Sequence, residues 1–388
     1  MAEVIEVSYC TVCFLHDGHP GVTLDADQVC SVCRLDIAAE LVQNIARVRE
    51  VYEDFQRNTP GAAPGQFDCL VMYSGGKDST YILDQLVNER GMRVLAYTFS
   101  PPFESSRAAE NIRIAQERIS AATYVVDRDS SINKVMRNVF ARPETVGPGR
   151  YLDEKLPCLS CRTFFILRAI LCARRHGVDY ILLCADPQQM LTMEPAVQNI
   201  VKDFYREFGR ELVEELFGDE LEQLVFDDEA ALPKIVFPFI AEGDRYDPER
   251  IVSELTAKGL YRSSPFETHC TLLPLLNYYA FKNWDCMFYK LNVSSHIRAV
   301  KRNGDYSRST YSVAFPRQMD VVHVEQQLKK ITFEIAADVG DPDIHQAELV
   351  DLFTQIGATE EAARYVARSF LDMRRVAEDL GISLSREK

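Results

Sequence analysis

Three groups of residues in this chain have the types and spacing to do chemistry. The first is Ser74-Gly75-Gly76-Lys77-Asp78-Ser79-Thr80, directly after the apolar run Asp68–Tyr73. Paired glycines let backbone come close to an anion, and a helix that follows offers unpaired N–H groups and the positive end of its dipole. The hydroxyls of Ser74, Ser79 and Thr80 add hydrogen bonds, and Lys77 adds charge. A Walker A loop is excluded, because position 71 is valine where that motif needs glycine.

The second group is two C-x-x-C knuckles, Cys10/Cys13 and Cys30/Cys33, separated by 16 residues. Four thiolates at this spacing suit a closed tetrahedral Zn²⁺ site, structural because it leaves no position for water. The third is Pro157-Cys158-Leu159-Ser160-Cys161, which opens a predicted helix. Helix N-termini lower thiol pKa values, so these two cysteines are disposed toward thiolate chemistry. Metal binding, a transient disulfide and plain space filling all remain open to that pair. Cys69, Cys172, Cys184 and Cys286 lie in apolar runs and read as core. His16 and His19, beside completed knuckles, read as loop histidines.

The elements that must position these groups follow from periodicity. Residues 36–57 repeat apolar side chains at helical spacing, and 59–65 form a Pro/Gly linker. Strands at 68–73, 94–99, 123–126 and 180–184 then alternate with helices near 79–89, 108–119 and 163–176. Such alternation predicts a doubly wound α/β domain with a parallel sheet, its ligand outside the carboxyl ends of the strands. The expected division is 1–60 for a zinc-ribbon-like segment plus helix, 66–245 for the α/β domain and 246–388 for a mainly helical region. That last region should end in helices near 321–336, 344–356 and 359–380.

The chain has 388 residues and a net charge of −15, which disfavours a large nucleic-acid-binding face. Eleven cysteines cannot all pair, so metal or redox chemistry is favoured over a disulfide framework. No apolar run reaches the roughly 18 residues of a membrane span, and the acidic N-terminus is unlike a signal peptide. A cytoplasmic location is expected. Between Glu211 and Glu229 stand nine acids and no Lys or Arg, read as a solvated helix face or loop. A basic island, Arg298, Lys301, Arg302 and Arg308, could meet a phosphate, a sugar nucleotide or a carrier, with a solvated helix end as the plainer reading.

The string Ser74–Ser79 resembles the pyrophosphate loop of the N-type ATP pyrophosphatases, the PP-loop superfamily, over about residues 66–190. The resemblance implies ATP cleaved between its α and β phosphates, magnesium, and Lys77 and Asp78 in catalytic roles. It also implies Thr98-Phe99 near the adenine, and adenylation of a substrate carbonyl or carboxylate oxygen that a sulfur or nitrogen nucleophile then displaces. Where many members carry a Gly-His-x-x-Asp-Asp-like string, this chain has Ala185-Asp186-Pro187-Gln188-Gln189.

The knuckles, with Pro20–Asp25 between them and the loop extended to Tyr81, resemble N-acetyl sugar amidotransferases. The Cys158/Cys161 pair resembles that of sulfur-inserting tRNA-thiolating enzymes, which hold a [4Fe–4S] cluster through a third cysteine; Cys270 is the candidate here. His269 beside it is a weak candidate proton shuttle.

Two reactions follow from these resemblances. In the first, sulfur replaces the adenylated oxygen through the Cys158/Cys161/Cys270 cluster, with a sulfur donor as partner. In the second, ammonia from a separate glutaminase replaces it. The acidic balance favours a small-molecule or carrier-bound substrate over tRNA, and a homodimer is compatible with either. A non-catalytic ATP-binding module is the third reading, and the intact Asp78 and Ser79 argue against it.

Overall fold

The computed structural model describes residues 8–19, 21–34, 37–58, 67–141, 157–185, 197–223, 232–242, 246–263, 270–288, 290, 294, 297, 321–337, 342–355 and 360–384. The 59–65 linker, the turn at 146–149, residues 186–189, His269 and the basic island therefore lie outside the described residues, as does the end of the acidic run.

Five short strands form one parallel sheet: β1 (Cys69–Met72), β2 (Val94–Phe99), β3 (Thr123–Asp127), β4 (Tyr180–Leu182) and β5 (Lys234–Val236). Their spatial order is β3-β2-β1-β4-β5, and every neighbouring pair runs parallel. The chain walks outward from β1 through β2 to β3, then returns to place β4 on β1's other side. That reversal puts a topological switch point between the carboxyl ends of β1 and β4.

Both faces of the sheet are covered, which explains why β2 reads as a continuous apolar run rather than an alternating one. Cys69, Val71, Tyr73, Val94, Ala96, Tyr180, Leu182 and Val236 belong to one core. It is closed by residues of α2 (Ile37–Asn58), α3 (Lys77–Asp84), α4 (Ser106–Arg118), α8 (Pro238–Glu242) and α9 (Pro248–Ala257). On the opposite side Phe99 meets Phe164 and Phe165 of α6 (Pro157–Arg175), and Phe164 in turn meets Phe204 and Phe217 of α7 (Val197–Phe217). Cys69 and Cys172 are core thiols, as expected.

The chain separates into two compact units, one of residues 37–138 and 158–263, the other of 1–36, 139–157 and 264–388. This grouping differs from the three-segment division expected from composition. Helix α2 belongs with the sheet, because Phe55 is buried edge-on to Tyr180 and Asp54 accepts from the Tyr180 hydroxyl and from Lys234 of β5. Residues 246–263, expected to begin the helical region, also belong to the sheet unit.

The other unit contains the knuckles and α1 (Ser31–Arg34), with helices α10 (Leu273–Trp284), α11 (Val321–Ala336), α12 (Pro342–Gln355), α13 (Glu360–Leu371) and α14 (Met373–Leu380). Helix α5 (Ile132–Phe140) crosses the division. His16 and His19 are buried here rather than lying in an open loop. The His16 Nε2 is 3.1 Å from the Trp284 carbonyl oxygen, and the His19 ring lies beside Trp284. Burial, reinforced by the Lys290 charge, lowers the His16 pKa to about 4, so its ring is neutral and donates to that carbonyl at pH 7. Lys290 itself is fully buried, pairs with Glu325 of α11 and lies over the Tyr9 ring. No described helix is long and apolar enough to cross a membrane.

Replacing Phe55 by alanine tests the placement of α2. It should cost the sheet unit about 3–5 kcal/mol, as for a buried aromatic, read from denaturant unfolding; a cost near zero would detach the helix from the sheet.

Candidate phosphate loop and metal centre

The loop Ser74–Thr80 leaves the carboxyl end of β1, at the switch point, and runs into α3. Gly75 has φ 73°, a left-handed conformation, and a Cβ added there would come within 2.6 Å of the Ala108 carbonyl oxygen and 3.0 Å of Ile112 Cγ1. The loop backbone is therefore pressed onto α4, which no side chain at position 75 would allow. Gly76 is the N-cap of α3 and makes no side-chain cap hydrogen bond. A helix start of this kind turns its first N–H groups and positive dipole end toward the place an anion would take.

The hydroxyls of this stretch brace the turn. Ser79 and Thr80 both donate to the Gly76 carbonyl, at 3.2 and 2.8 Å, and Ser74 N–H donates to Ser79 Oγ. Tyr73 and Thr80 hydroxyls lie 3.3 Å apart beneath it. Lys77 is buried with its Nζ 3.1 Å from Asp78 Oδ2, and Tyr246 donates to the other oxygen, Oδ1, at 3.0 Å. Tyr246 lies 168 residues beyond Asp78, and no spacing signal in the sequence links them. The carboxylate and hydroxyl oxygens form the hard donor set that magnesium takes together with phosphate. These residues thus fit magnesium held with a polyphosphate.

Cys184, read from sequence as core, lies just past β4, partly buried and packed against the sheet core. Burial and the Asp78 carboxylate hold its thiol well above the usual range.

At the end of β2, Thr98 is fully buried and its Oγ1 has no hydrogen-bond partner among the described residues. An orphaned buried hydroxyl at the carboxyl edge of a sheet is the kind of group a bound nucleotide satisfies. Phe99 stacks on Phe165 at 4.5 Å, so its ring faces are engaged with α6. Since α6 feeds into β4, which is parallel to β1, its N-terminus lies at the same end of the sheet as the phosphate loop. Phe164 and Phe165 follow Cys161 by one turn and touch the last residue of β2, which fixes that end. Arg168 strengthens the attachment: it donates to Asp127 at 3.1 Å and to Glu220 at 3.1 Å, while the Tyr97 hydroxyl also donates to Asp127 at 2.8 Å.

Cys158 and Cys161 therefore stand at the carboxyl end of the sheet, in the sheet unit. Cys270 belongs to the other unit. Cys158 is exposed at the start of α6, with Arg162 one turn on.

The knuckle cysteines converge. The sulfurs of Cys10, Cys13, Cys30 and Cys33 all lie within 4.8 Å of one another, the one such group of three or more metal-binding side chains among the described residues. Cys10–Cys33 and Cys13–Cys30 sulfurs are 3.9 and 3.6 Å apart. Zn–S bonds of about 2.3 Å at tetrahedral angles require edges of roughly 3.8 Å, so the four fit a single ion. A four-iron cluster, which gives each thiolate its own iron, needs a wider set. Backbone N–H groups of Val12 and Cys30 point at Cys10 Sγ, and that of Cys33 points at Cys30 Sγ. Crowding and burial push the Cys33 thiol up to about 11 and the Cys30 thiol higher still. Four thiolates this close need a cation, so metal binding must expel protons.

Zinc affinity should therefore rise steeply between about pH 6 and about pH 8, in a competition titration against a chelator. Cys30→Ser should lower both zinc content and the melting temperature, and unchanged values would refute a structural metal. Gly75→Ala should weaken binding of magnesium pyrophosphate at least tenfold, roughly the effect of strained left-handed backbone plus a clash with a carbonyl; wild-type affinity would release the loop from its packing on α4.

No family model matches the chain, and no curated protein matches it. Among solved structures it is similar to the U34-tRNA thiolase NcsA from Methanococcus maripaludis with its [4Fe-4S] cluster. That alignment covers 75% of this chain and 79% of that one at 14% identity, with a TM-score of 0.31. The likeness is distant.

Proposed function

We propose that this protein is an ATP-dependent enzyme of the PP-loop type, which adenylates a carbonyl or carboxylate oxygen of its substrate and releases pyrophosphate. The observation that carries the reading is the Gly75–Gly76 turn, pressed onto α4 and opening α3 at the switch point of a five-stranded parallel sheet. Ser74, Gly75, Gly76 and Ser79 bind the outer two phosphates through backbone and hydroxyl donors. Lys77 offsets their charge as the bond between the α and β phosphates breaks, and Asp78 faces the accompanying magnesium. Thr98 meets the nucleoside end. Adenylation matters chemically because oxide is a very poor leaving group and AMP a good one.

For the second half of the reaction we favour sulfur as the incoming nucleophile. Cys158 and Cys161, at the sheet end that also carries the phosphate loop, support this reading, with Cys270 as third ligand. Three thiolates on a [4Fe–4S] cluster leave one iron open to a sulfur ligand. The acceptor is a small or carrier-bound molecule, in keeping with the net charge of −15. A second reading has ammonia from a glutaminase partner in place of sulfur. The closed four-cysteine site favours it, since the knuckles are what resemble the sugar amidotransferases.

Purified anaerobically, the protein should be brown, with a broad absorption near 400 nm (roughly where thiolate-ligated clusters absorb). A colourless protein with about one zinc per chain would favour ammonia. Asp78→Ala should abolish acceptor-dependent pyrophosphate release from ATP. Cys161→Ser should stop product formation while sparing ATP binding. Release of ADP alone, or of nothing, with wild-type protein would remove the phosphate loop from the mechanism.

A further inference from the structure

Asp78 is the loop's carboxylate, and its direction is decided from outside the loop. Its Oδ2 accepts from Lys77 and its Oδ1 from the Tyr246 hydroxyl at 3.0 Å. Tyr246 is buried, with its ring edge-on to Phe239 at 4.9 Å, and the next residue, Asp247, caps α9 through the N–H groups of Glu249 and Arg250. Helix α9 is fastened along α3. At its far end Lys258 donates to the buried Asp84 at 2.6 Å, and in its first turn the Arg250 guanidinium lies over the Tyr81 ring. The phenol is therefore aimed by a ring contact, a capped helix start and a helix tied at both ends to α3, whose first turn holds Asp78.

The chemistry of the donor matters. A second cation on Oδ1 would cancel the carboxylate's charge. A phenol fixes the carboxylate's direction and leaves its charge available to a metal.

We propose that Tyr246 is a positioning residue of the phosphate loop, holding the Asp78 carboxylate in the orientation in which the loop takes up magnesium pyrophosphate, the outer part of ATP. This rests on the loop being the phosphate site described above, and it names a residue outside the motif on which that site depends. Tyr246 acts through Asp78 and touches no substrate atom.

The test is calorimetric binding of magnesium pyrophosphate and, separately, of pyrophosphate in EDTA. Tyr246→Phe keeps the ring on Phe239 and removes only the hydroxyl. It should weaken the magnesium complex about tenfold, as for a lost hydrogen bond to a charged group, and change metal-free binding by less than about twofold. In an Asp78→Asn background the same change should add nothing further. Equal affinity of Tyr246→Phe and wild type for the magnesium complex overturns the proposal. So does an equal loss for both probes, or an additive loss in the double variant, since either marks a structural effect. Wild-type protein that binds neither probe overturns the phosphate-site reading itself, and Tyr246's role with it.

Discussion

A backbone that must approach an anion closely cannot carry a side chain, and it also needs something solid behind it. In this protein the support is α4: the left-handed Gly75 sits so near the Ala108 carbonyl that even a methyl group would clash. The rest of the sheet unit follows from that contact. Helix α4 is fixed by the Ser105 cap, whose hydroxyl accepts from Ala108 N–H, and by Asn111, whose side chain pairs with the Arg262 backbone in both directions. The parallel sheet then supplies the direction, because β1 ends at the switch point and delivers the loop into α3. A phosphate site on this scaffold is a property of packing as much as of the glycines.

Charge in the sheet unit is handled by ties between elements that are distant in sequence. Arg168 gathers Asp127, Asp129 and Glu220 onto α6, while Lys258 reaches the buried Asp84. Salt bridges of this kind contribute little when exposed, and more when they fix one partner's geometry. Here they tie down two helices at points away from their starts: α6 through Arg168 in its middle and α3 through Asp84 at its end. The candidate groups at the two helix starts are thus held by ion pairs located away from them.

The cysteines divide into two chemistries by distance. Four sulfurs with edges near 3.6 and 3.9 Å make a cage for one tetrahedral ion, in a segment too short to build an apolar core of its own. The segment is further held by His16 and His19 against Trp284 and by the buried Lys290 over Tyr9. Cys158 and Cys161 stand apart from that cage, at a helix start.

Local pattern determined much of this. The helix over 36–57 follows from periodicity, because it is long enough to repeat its signal, and the strands 94–99 and 123–126 follow from short apolar and β-branched runs. The four-cysteine cage follows from two matched pairs, because the ligands of each knuckle are neighbours in the chain. The loop follows from its glycines. What pattern missed is short or non-local. Strand β5, three residues between Pro233 and Pro238, exists because β4 offers it an edge. The histidines at 16 and 19 read as loop residues until Trp284 covers them. Helix α2 reads as part of the knuckle segment until Phe55 finds Tyr180. Tyr246 meets Asp78 only because α9 lies along α3, and no one-dimensional spacing encodes such a meeting. Residue type and near neighbours mark which groups are candidates for chemistry, and both can be read along the chain. Which way those groups face was set by folding, since it depends on side chains brought together across more than a hundred residues.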